Sequence, residues 1–381
     1  MLRVMSTFSG ISAASVAWKP LGFHFVAYSE IDSFACHVLS ERLGVSRPKY
    51  LPSAETLGMT DRQYKTYVKS FDDLPLEGIP NFGDITQITD EDLRSVGHVD
   101  LLEGGTPCQS FSIAGLREGL NSERGNLMLE FCKLAERMKT INNLRFVLWE
   151  NVKGVLSNDK GRAFGCLLGA LSGASRPVQP PAKWANSGLS TYGESTTLTW
   201  RVFNARFFGV RQRRERIFLI ADFDDRRKLA EEILFNRRSK DRFASSFSKT
   251  GKETVTGAVE SSHRVNAEAD VVHPQTVGTL LASGAGMSRT AGVGSELDFV
   301  IVQRLNGKTL VRRLHPIECE RLQGFPDNWT NVEFKGKPAK DADRYRTIGN
   351  SMAVPCMKHI GIGLAEYAFA EEHNISQKFF A

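Results

Sequence analysis

The chain has 381 residues, of which 41% are hydrophobic, and its 49 lysines and arginines exceed its 43 aspartates and glutamates to give a formal net charge of +6. This apolar content supports a large core, so the composition argues against a mainly disordered or fibrous chain. No apolar run reaches the ~18 residues of a membrane span, and the first residues lack the pattern of a secretory leader. We therefore expect neither a membrane protein nor a secreted one, and the modest positive charge permits a polyanionic partner.

The cysteines also argue against a secreted protein and indicate the cytoplasm. The chain has six, and no pair shows the C-x-x-C spacing of a zinc or redox site. Scattered thiols in a chain of this length are typical of reduced cysteines in the cytoplasm, where each is by default a small buried hydrophobe. We expect no metal site, because no cluster of metal-ligating residues is visible.

Strand-like and helix-like segments alternate along the first half of the chain. Apolar runs predict strands at 4–8, 23–28, 99–102, 146–149 and 217–220, and helical spacing predicts helices at 32–43, 126–138 and 163–171. This alternation predicts an α/β fold with a doubly wound, mostly parallel sheet. Ligands of such sheets bind outside the carboxyl ends of the strands.

Two later stretches break the alternation. Residues 172–199 are rich in Ser, Gly, Pro and Thr, which predicts a long loop. The region 224–311 contains a charged helix candidate at 226–238 and short β-like pieces at 271–281 and 299–303, which indicates a second, smaller domain. Residues 346–369 return to a helix-forming pattern and are expected to rejoin the first domain.

Small residues follow the first predicted strand. Residues 7–14 include Ser9, Gly10 and Ser12, which let a backbone approach a nucleotide-like ligand, although a purely structural turn would have the same composition. Glu30 lies twenty residues after Gly10 at the end of the second predicted strand, where an acid can accept from ribose hydroxyls. Its alternative is a solvated loop carboxylate.

A Gly-rich loop presents Cys108 after the strand predicted at 99–102. Its neighbours are Gly, Pro and polar residues, so this thiol is expected in a crevice, where dipoles and arginines favour the nucleophilic thiolate.

A carboxylate and an arginine-rich segment complete the set. Glu150 ends an apolar strand beside Trp149, where partial burial would raise its pKa and suit it to carry a proton; the alternative is a helix cap. Arg214 and Arg216 alternate just before the strand predicted at 217–220, and alternate residues of a strand project to the same face. The segment has no lysine, and such arginines suit bidentate contacts to phosphates or base carbonyls. The alternative is a solvated basic edge.

Together these motifs resemble the DNA (cytosine-5)-methyltransferases over most of the chain and in that family's motif order. The resemblance rests on the segments 8–10, 30–32, 83–85, 107–109, 124–127, 150–152, 212–216, 313–326 and 349–351. This sequence departs from the family pattern at Ser12, where a second glycine is usual, at Thr106 and at Arg211. None of these departures removes a catalytic group.

The resemblance implies a fold, a domain division and site residues. It implies a Rossmann-like methyltransferase domain at 1–228 and 343–381 and a target-recognition domain at 229–342. The implied catalytic residues are Cys108, Glu150, Arg214 and Arg216. The residues implied for S-adenosyl-L-methionine are Phe8, Ser9, Gly10, Ile11, Ser12, Glu30, Ile31, Asp84, Ile85, Leu127, Asn350 and Ser351. Those implied for DNA are Gln109, Ser112, Gln212, Thr279, Gly284 and Gly286.

The resemblance also implies a mechanism and partners. Cys108 would add to C6 of a cytosine flipped out of double-stranded DNA, Glu150 would contact N3, and Arg216 would contact O2. A tRNA cytosine-5 methyltransferase is the alternative, and a NAD-binding oxidoreductase or a silent DNA-binding regulator fits the motifs less well. A monomer is expected. The resemblance is compatible with a cognate restriction endonuclease as partner, with a phage enzyme and with a stand-alone role.

Overall fold

A nine-stranded sheet forms the centre of the fold. It is seen in a computed structural model that describes residues 1–107, 127–193, 195–225, 230–235, 271–272, 300–305 and 308–379. The strand order is β3-β4-β2-β1-β5-β6-β9-β8-β7. The strands are β1 (Arg3–Thr7), β2 (His24–Ser29), β3 (Val45–Tyr50), β4 (Ile79–Gly83), β5 (Leu101–Gly104), β6 (Phe146–Val152), β7 (Ser187–Tyr192), β8 (Thr196–Asn204) and β9 (Glu215–Asp222).

The direction of the strands changes within the sheet. The neighbours from β3 to β6 are parallel, whereas β9, β8 and β7 extend the sheet with antiparallel pairs. The chain leaves β1 toward β2 on one side and later places β5 on the other side. A switch point therefore lies between the carboxyl ends of β1 and β5, which is where ligands of doubly wound sheets bind.

Helices cover both faces of the sheet. Alternate residues of a strand point to opposite faces, so Val4 belongs to one apolar cluster and Met5 to the other. The helices are α1 (Ala13–Trp18), α2 (Ser33–Leu43), α3 (Asp61–Lys69), α4 (Asp90–Val96), α5 (Leu127–Ile141), α6 (Arg162–Ser172), α7 (Ala230–Phe235), α8 (Pro316–Gln323), α9 (Asp341–Asn350) and α10 (Val354–Phe379). Helices α1, α2 and α10 contribute to the first cluster, and α4, α5 and α6 to the second.

The predicted fold class agrees with this architecture, but one predicted loop was wrong. Residues 172–199 were expected to lack regular structure, yet β7 and the start of β8 lie within them. The β7 segment is rich in Ser, Thr and Gly, so it has no hydrophobic run that would mark it as a strand. It forms at the edge of the sheet, where pairing with β8 supplies its backbone hydrogen bonds.

The second half of the chain adds two small sheets. Strands β10 (Val271–Val272), β11 (Val300–Leu305) and β12 (Lys308–Arg313) form an antiparallel sheet, and β13 (Glu333–Phe334) pairs with β14 (Lys337–Pro338). The residues after β12 pack on the first cluster of the large sheet through Leu314, Phe325 and Val332. The helices among the described residues include none that is long and apolar enough to cross a membrane.

Candidate functional site

A cleft of about 540 Å³ opens at the carboxyl ends of the parallel strands. This volume falls within the range of roughly 300–1,000 Å³ that is typical of small-molecule sites. The predicted cofactor residues that line it are Phe8, Ser9, Gly10, Glu30, Ile31, Asp84, Ile85, Leu127, Asn350 and Ser351. Glu150, Arg214 and Arg216 line the same cleft, so the two predicted sets of residues share one space.

The loop between β1 and α1 forms one wall of the cleft. Phe8, Gly10 and Ser12 all have a left-handed backbone, with φ angles of 49°, 52° and 53°. Such a conformation suits glycine and costs other residues of order 1 kcal/mol or more. Ser12 offsets part of this cost, because its hydroxyl accepts a hydrogen bond from Ser15 N and caps α1. Ser12 and Ile11 are buried beneath the loop.

Glu30 is fixed at the end of β2 by backbone donors. One carboxylate oxygen accepts from Gly10 N at 2.6 Å, and the other accepts from Ile31 N and Asp32 N. Burial raises the pKa of Glu30 to about 7, and the negative charge of Asp32 acts in the same direction against these hydrogen bonds. The carboxylate therefore orders the first loop of the cleft.

Asp84 follows β4 on the same side of the cleft. Its side chain accepts from Thr86 N and Oγ1 and from Gln87 Nε2, and it caps a short 3-10 turn that begins at Ile85. These bonds fix the Asp84 side chain beside the cleft, whose lining includes both Asp84 and Ile85.

Glu150 and Arg216 form an ion pair in the part of the cleft next to residues 105–107. Arg216 Nε lies 3.2 Å from Glu150 Oε1, and both side chains are largely buried. Burial raises the pKa of Glu150, while Arg216 and Arg214 lower it. The antiparallel register of β6 and β9 creates this pair, because it places Val152 opposite Arg216. The arrangement can hold a proton or a hydrogen-bond acceptor beside a positive charge.

The alternation of Arg214 and Arg216 predicted that both lie on one strand. This prediction was wrong for Arg214, because β9 begins only at Glu215. Its guanidinium is buried and donates to the carbonyls of Gly349 and Ser351 at 3.1 and 2.7 Å. Burial lowers the pKa of Arg214 to about 9, and the charge of Arg216 adds to that effect. Arg214 thus fixes the segment that contains Asn350 and Ser351.

The start of the loop that leads to Cys108 is held by the tip of β6. Asn151 Nδ2 donates to Thr106 O, and Trp149 Nε1 donates to Thr106 Oγ1, both at 2.9 Å. A Cβ atom on Gly105 would lie 3.0 Å from Glu150 Oε2, so a larger residue here would require the Glu150 side chain or the loop to shift by a few tenths of an ångström. These contacts orient the backbone that precedes the predicted nucleophile.

Six of the predicted residues lie outside the described part of the chain. They are Cys108, Gln109, Ser112, Thr279, Gly284 and Gly286. Gln212, which was predicted to contact DNA, is fully buried, and its side-chain amide has no hydrogen-bond partner among the described residues. A contact with DNA would require this amide to become exposed.

Sequence reasoning missed three features of the cleft. Glu103 on β5 lies in its lining and is 2% exposed. Asn151 carries the bond to Thr106 described above. Arg346 of α9 forms a bidentate ion pair with Asp32, and both side chains line the cleft. A charged residue at the tip of an apolar strand could have identified Glu103, but nothing local in the sequence joins Arg346 to a residue 314 positions earlier.

Comparison with known proteins gives a consistent family. Residues 59–365 match the model of the C-5 cytosine-specific DNA methylase family. Among curated proteins, the DNA N-6-adenine-methyltransferase of Escherichia phage P1 is 28% identical over an alignment 488 residues long, gaps included. The alignment covers 93% of this chain and 60% of that protein. The Type II methyltransferase M1.ScrFI of Lactococcus lactis subsp. cremoris is 28% identical over 351 residues, which cover 89% of this chain and 78% of that protein. The chain thus spans less than two thirds of the phage protein.

Solved structures with the same fold include two eukaryotic methyltransferases. Dnmt2 of S. pombe superposes with a TM-score of 0.60 at 15% identity, and the match covers 97% of this chain and 99% of that one. EhMeth of Entamoeba histolytica gives a TM-score of 0.52 at 14% identity, with 97% and 98% coverage. These matches confirm the predicted Rossmann-like methyltransferase fold.

Proposed function

The chain belongs to the C-5 cytosine-specific DNA methylase family, and from that premise we propose that it transfers a methyl group to C5 of a cytosine in a specific sequence of double-stranded DNA. The observation that carries the proposal is the cleft itself. One part of the cleft contains the ion pair of Glu150 and Arg216, next to the residues that lead to Cys108. Another part contains the loop at Gly10, whose N–H donates to the Glu30 carboxylate.

The cleft residues fit S-adenosyl-L-methionine, which supplies the methyl group when bound. Glu30 lines the cleft with a carboxylate that suits recognition of ribose hydroxyls, and Asp84 and Ile85 line the part proposed for the adenine edge. Leu127 and the segment at Asn350 and Ser351 line the remaining walls. The roles of Phe8, Ser9, Ile11, Ser12 and Ile31 in this site are part of the same proposal.

The proposed chemistry begins at Cys108. Its thiolate adds to C6 of the cytosine, which makes C5 nucleophilic enough to take the methyl group. Glu150 donates a hydrogen bond to ring N3, and Arg216 contacts O2 and holds Glu150 in place. Arg214 acts as a positioning residue, because its guanidinium is committed to Gly349 and Ser351. Loss of the C5 proton and elimination of Cys108 complete the reaction.

Duplex DNA is the proposed partner. Cys108 cannot contact a base that is stacked inside the double helix, so the cytosine must be flipped out, as is general for methyltransferases that act on a base in DNA. Gln109 and Ser112 are proposed to contact DNA from the larger domain, and Gln212 to do so once its buried amide becomes exposed. Thr279, Gly284 and Gly286 are proposed to contact DNA from a recognition domain at 229–342. The Type II name of M1.ScrFI supports a restriction endonuclease as a biological partner that methylation itself does not require. We propose a cytoplasmic monomer.

Transfer of tritium from labelled S-adenosylmethionine to duplex DNA tests the proposal. We expect incorporation by the wild type and its loss in Cys108→Ser, with cofactor affinity retained. Cys166→Ser changes a buried thiol of α6 and serves as the matched control. Turnover by Cys108→Ser would refute the covalent mechanism.

Digestion of the labelled product to nucleosides identifies the base. Label in 5-methylcytosine supports the proposal. Label in N6-methyladenine would refute it and would indicate an adenine methyltransferase, as the phage relative is named. A parallel reaction on tRNA tests the alternative substrate. Faster methylation of tRNA than of DNA would refute the proposed DNA substrate and support tRNA instead.

A further inference from the structure

Glu103 is a buried carboxylate at the switch point of the sheet. The parallel register of β1 and β5 places it opposite Ser6, and the side chain lines the cleft while it is only 2% exposed. The proposed reaction uses Glu150 and the proposed ribose contact uses Glu30, so Glu103 has no role in either. Its place at the point where doubly wound sheets bind ligands calls for one.

No cation balances this carboxylate among the described residues. Its one hydrogen bond joins Oε1 to Ser6 Oγ at 2.5 Å, and its second oxygen has no hydrogen-bond partner in the described part of the chain. The charged group that acts on it from β6 is Glu150, which has the same sign, and Tyr28 of β2 is also within its electrostatic reach. A buried anion without a counterion is unfavourable, so this position favours a positively charged ligand.

The Ser6 hydroxyl connects Glu103 to the first loop of the cleft. Ser6 Oγ lies 2.8 Å from Ser9 Oγ as well as 2.5 Å from Glu103 Oε1, and a hydroxyl has a single proton to donate. When Glu103 is ionised, Ser6 donates to it and can accept from Ser9. When Glu103 is protonated, it can donate to Ser6, which then donates to Ser9. The charge state of Glu103 therefore sets the hydrogen bonding of a loop residue that lines the cleft.

We propose that Glu103 is a further cofactor-binding residue, whose carboxylate holds a cationic centre of S-adenosylmethionine at the junction of β1 and β5; this inference rests on the proposed function. S-adenosylmethionine has two such centres, the sulfonium and the α-ammonium group, and either can supply the missing counterion. Burial, with a smaller contribution from the charge of Glu150, raises the pKa of Glu103 to about 7 against the bond from Ser6. A bound cation would favour the ionised form, so binding near neutral pH would release a proton.

Isothermal titration of Glu103→Gln tests this role. Glutamine keeps the shape and a bond to Ser6 but removes the charge. We expect its affinity for S-adenosylmethionine to fall about tenfold or more, with that for 5′-methylthioadenosine, which lacks both cationic centres, unchanged within about twofold. Glu136→Gln, on the exposed face of α5, is the matched control and should bind like the wild type.

S-adenosylhomocysteine separates the two cationic centres, because it keeps the ammonium group and lacks the sulfonium. A loss of affinity shared by both ligands assigns Glu103 to the ammonium group, and a loss confined to S-adenosylmethionine assigns it to the sulfonium. Unchanged affinity for S-adenosylmethionine in Glu103→Gln, or an equal loss for 5′-methylthioadenosine, would overturn the inference.

A second measurement needs only the wild type, in case the variant does not fold. Titration at pH 7 in buffers of different ionisation enthalpy counts the protons released. We expect more protons to be released on binding of S-adenosylmethionine than on binding of 5′-methylthioadenosine, whose adenosine part would still face Glu30. Equal numbers of released protons would contradict the role of Glu103. A wild type that binds no S-adenosylmethionine would instead overturn the proposed function, and the inference with it.

Discussion

The side-chain amide of Asn151 donates a 2.9 Å hydrogen bond to the carbonyl of Thr106, across 45 residues of sequence. Both residues are buried at the carboxyl edge of the sheet. The bond links the strand that carries Glu150 to the loop that carries Cys108. Together with the bond from Trp149 Nε1 to Thr106 Oγ1, this contact fixes Thr106, two residues before the proposed nucleophile, to the strand of the proposed acid.

Asn151→Ala removes this contact. We expect kcat to fall about tenfold, because a small displacement of a reacting group is costly. The free energy of unfolding should fall by about 1–3 kcal/mol, because the buried carbonyl of Thr106 loses this donor. Single-turnover methylation and denaturant unfolding measure these changes. The exposed Asn158→Ala is the control, and an unchanged kcat in Asn151→Ala would contradict the orienting role.

Gly105→Ala tests the close approach of the loop to Glu150. A Cβ atom would lie 3.0 Å from Glu150 Oε2 and 3.2 Å from Met352 Cε, so the acid or the loop must shift. We expect kcat to fall about tenfold with cofactor affinity nearly unchanged. Gly154→Ala is the matched control, because its Cβ would meet its nearest neighbour at 3.9 Å. Equal rates in both variants would show that the loop has room to spare.

The ion pair of Arg346 with Asp32 joins two walls of the cleft. Each side chain is about one third exposed, at 36% and 34%, so the pair contributes well under ~1 kcal/mol to folding. Arg346→Ala should weaken S-adenosylmethionine binding by about threefold while the melting temperature stays nearly constant. Calorimetry and thermal unfolding test this, with the exposed Arg62→Ala as control. A large loss of stability would assign Arg346 to folding instead.

Glu103 also makes stability depend on pH in the absence of any ligand. Its pKa is raised from 4.5 to about 7 in the folded chain, so between these values the unfolded state is ionised while the folded state keeps the proton. The unfolded state then binds fewer protons, and folding stability must fall as the pH rises through this window.

Glu103→Gln removes this contribution. The stability of the variant relative to the wild type should therefore increase from pH 4.5 to pH 7 and level off above it. Urea unfolding at several pH values measures the difference, and the exposed Glu136→Gln should show no such trend. A constant difference across the window would mean that Glu103 is ionised throughout.

The sequence predicted the parts of the site that sit at strand ends. Gly10, Glu30 and Glu150 each follow an apolar run, and the edge of a parallel sheet collects such residues without further information. The bond from Gly10 N to Glu30 was not predicted, but both of its partners were.

What the sequence could not predict depends on register and distant packing. The alternation of Arg214 and Arg216 suggested one shared face, yet the strand begins between them and Arg214 turns toward Gly349. Strand β7 escaped prediction because its stability comes from its neighbour rather than from its own apolar pattern. The partnership of Arg346 with Asp32 is a product of the closed fold.

The antiparallel pairing of β6 with β9 brings the acid to its arginine by strand register rather than by nearness in the sequence. The register alone sets Val152 beside Arg216 and Glu150 beside Phe218. The intervening segment supports this register from outside, because β8 pairs with β9 and α6 packs in the second cluster, so changes of length are tolerated only in its exposed loops. Engineers who wish to graft a new module onto this chain would choose the exposed residues 181–183 and avoid Trp184, which is buried in the second cluster and donates to Gly161 O.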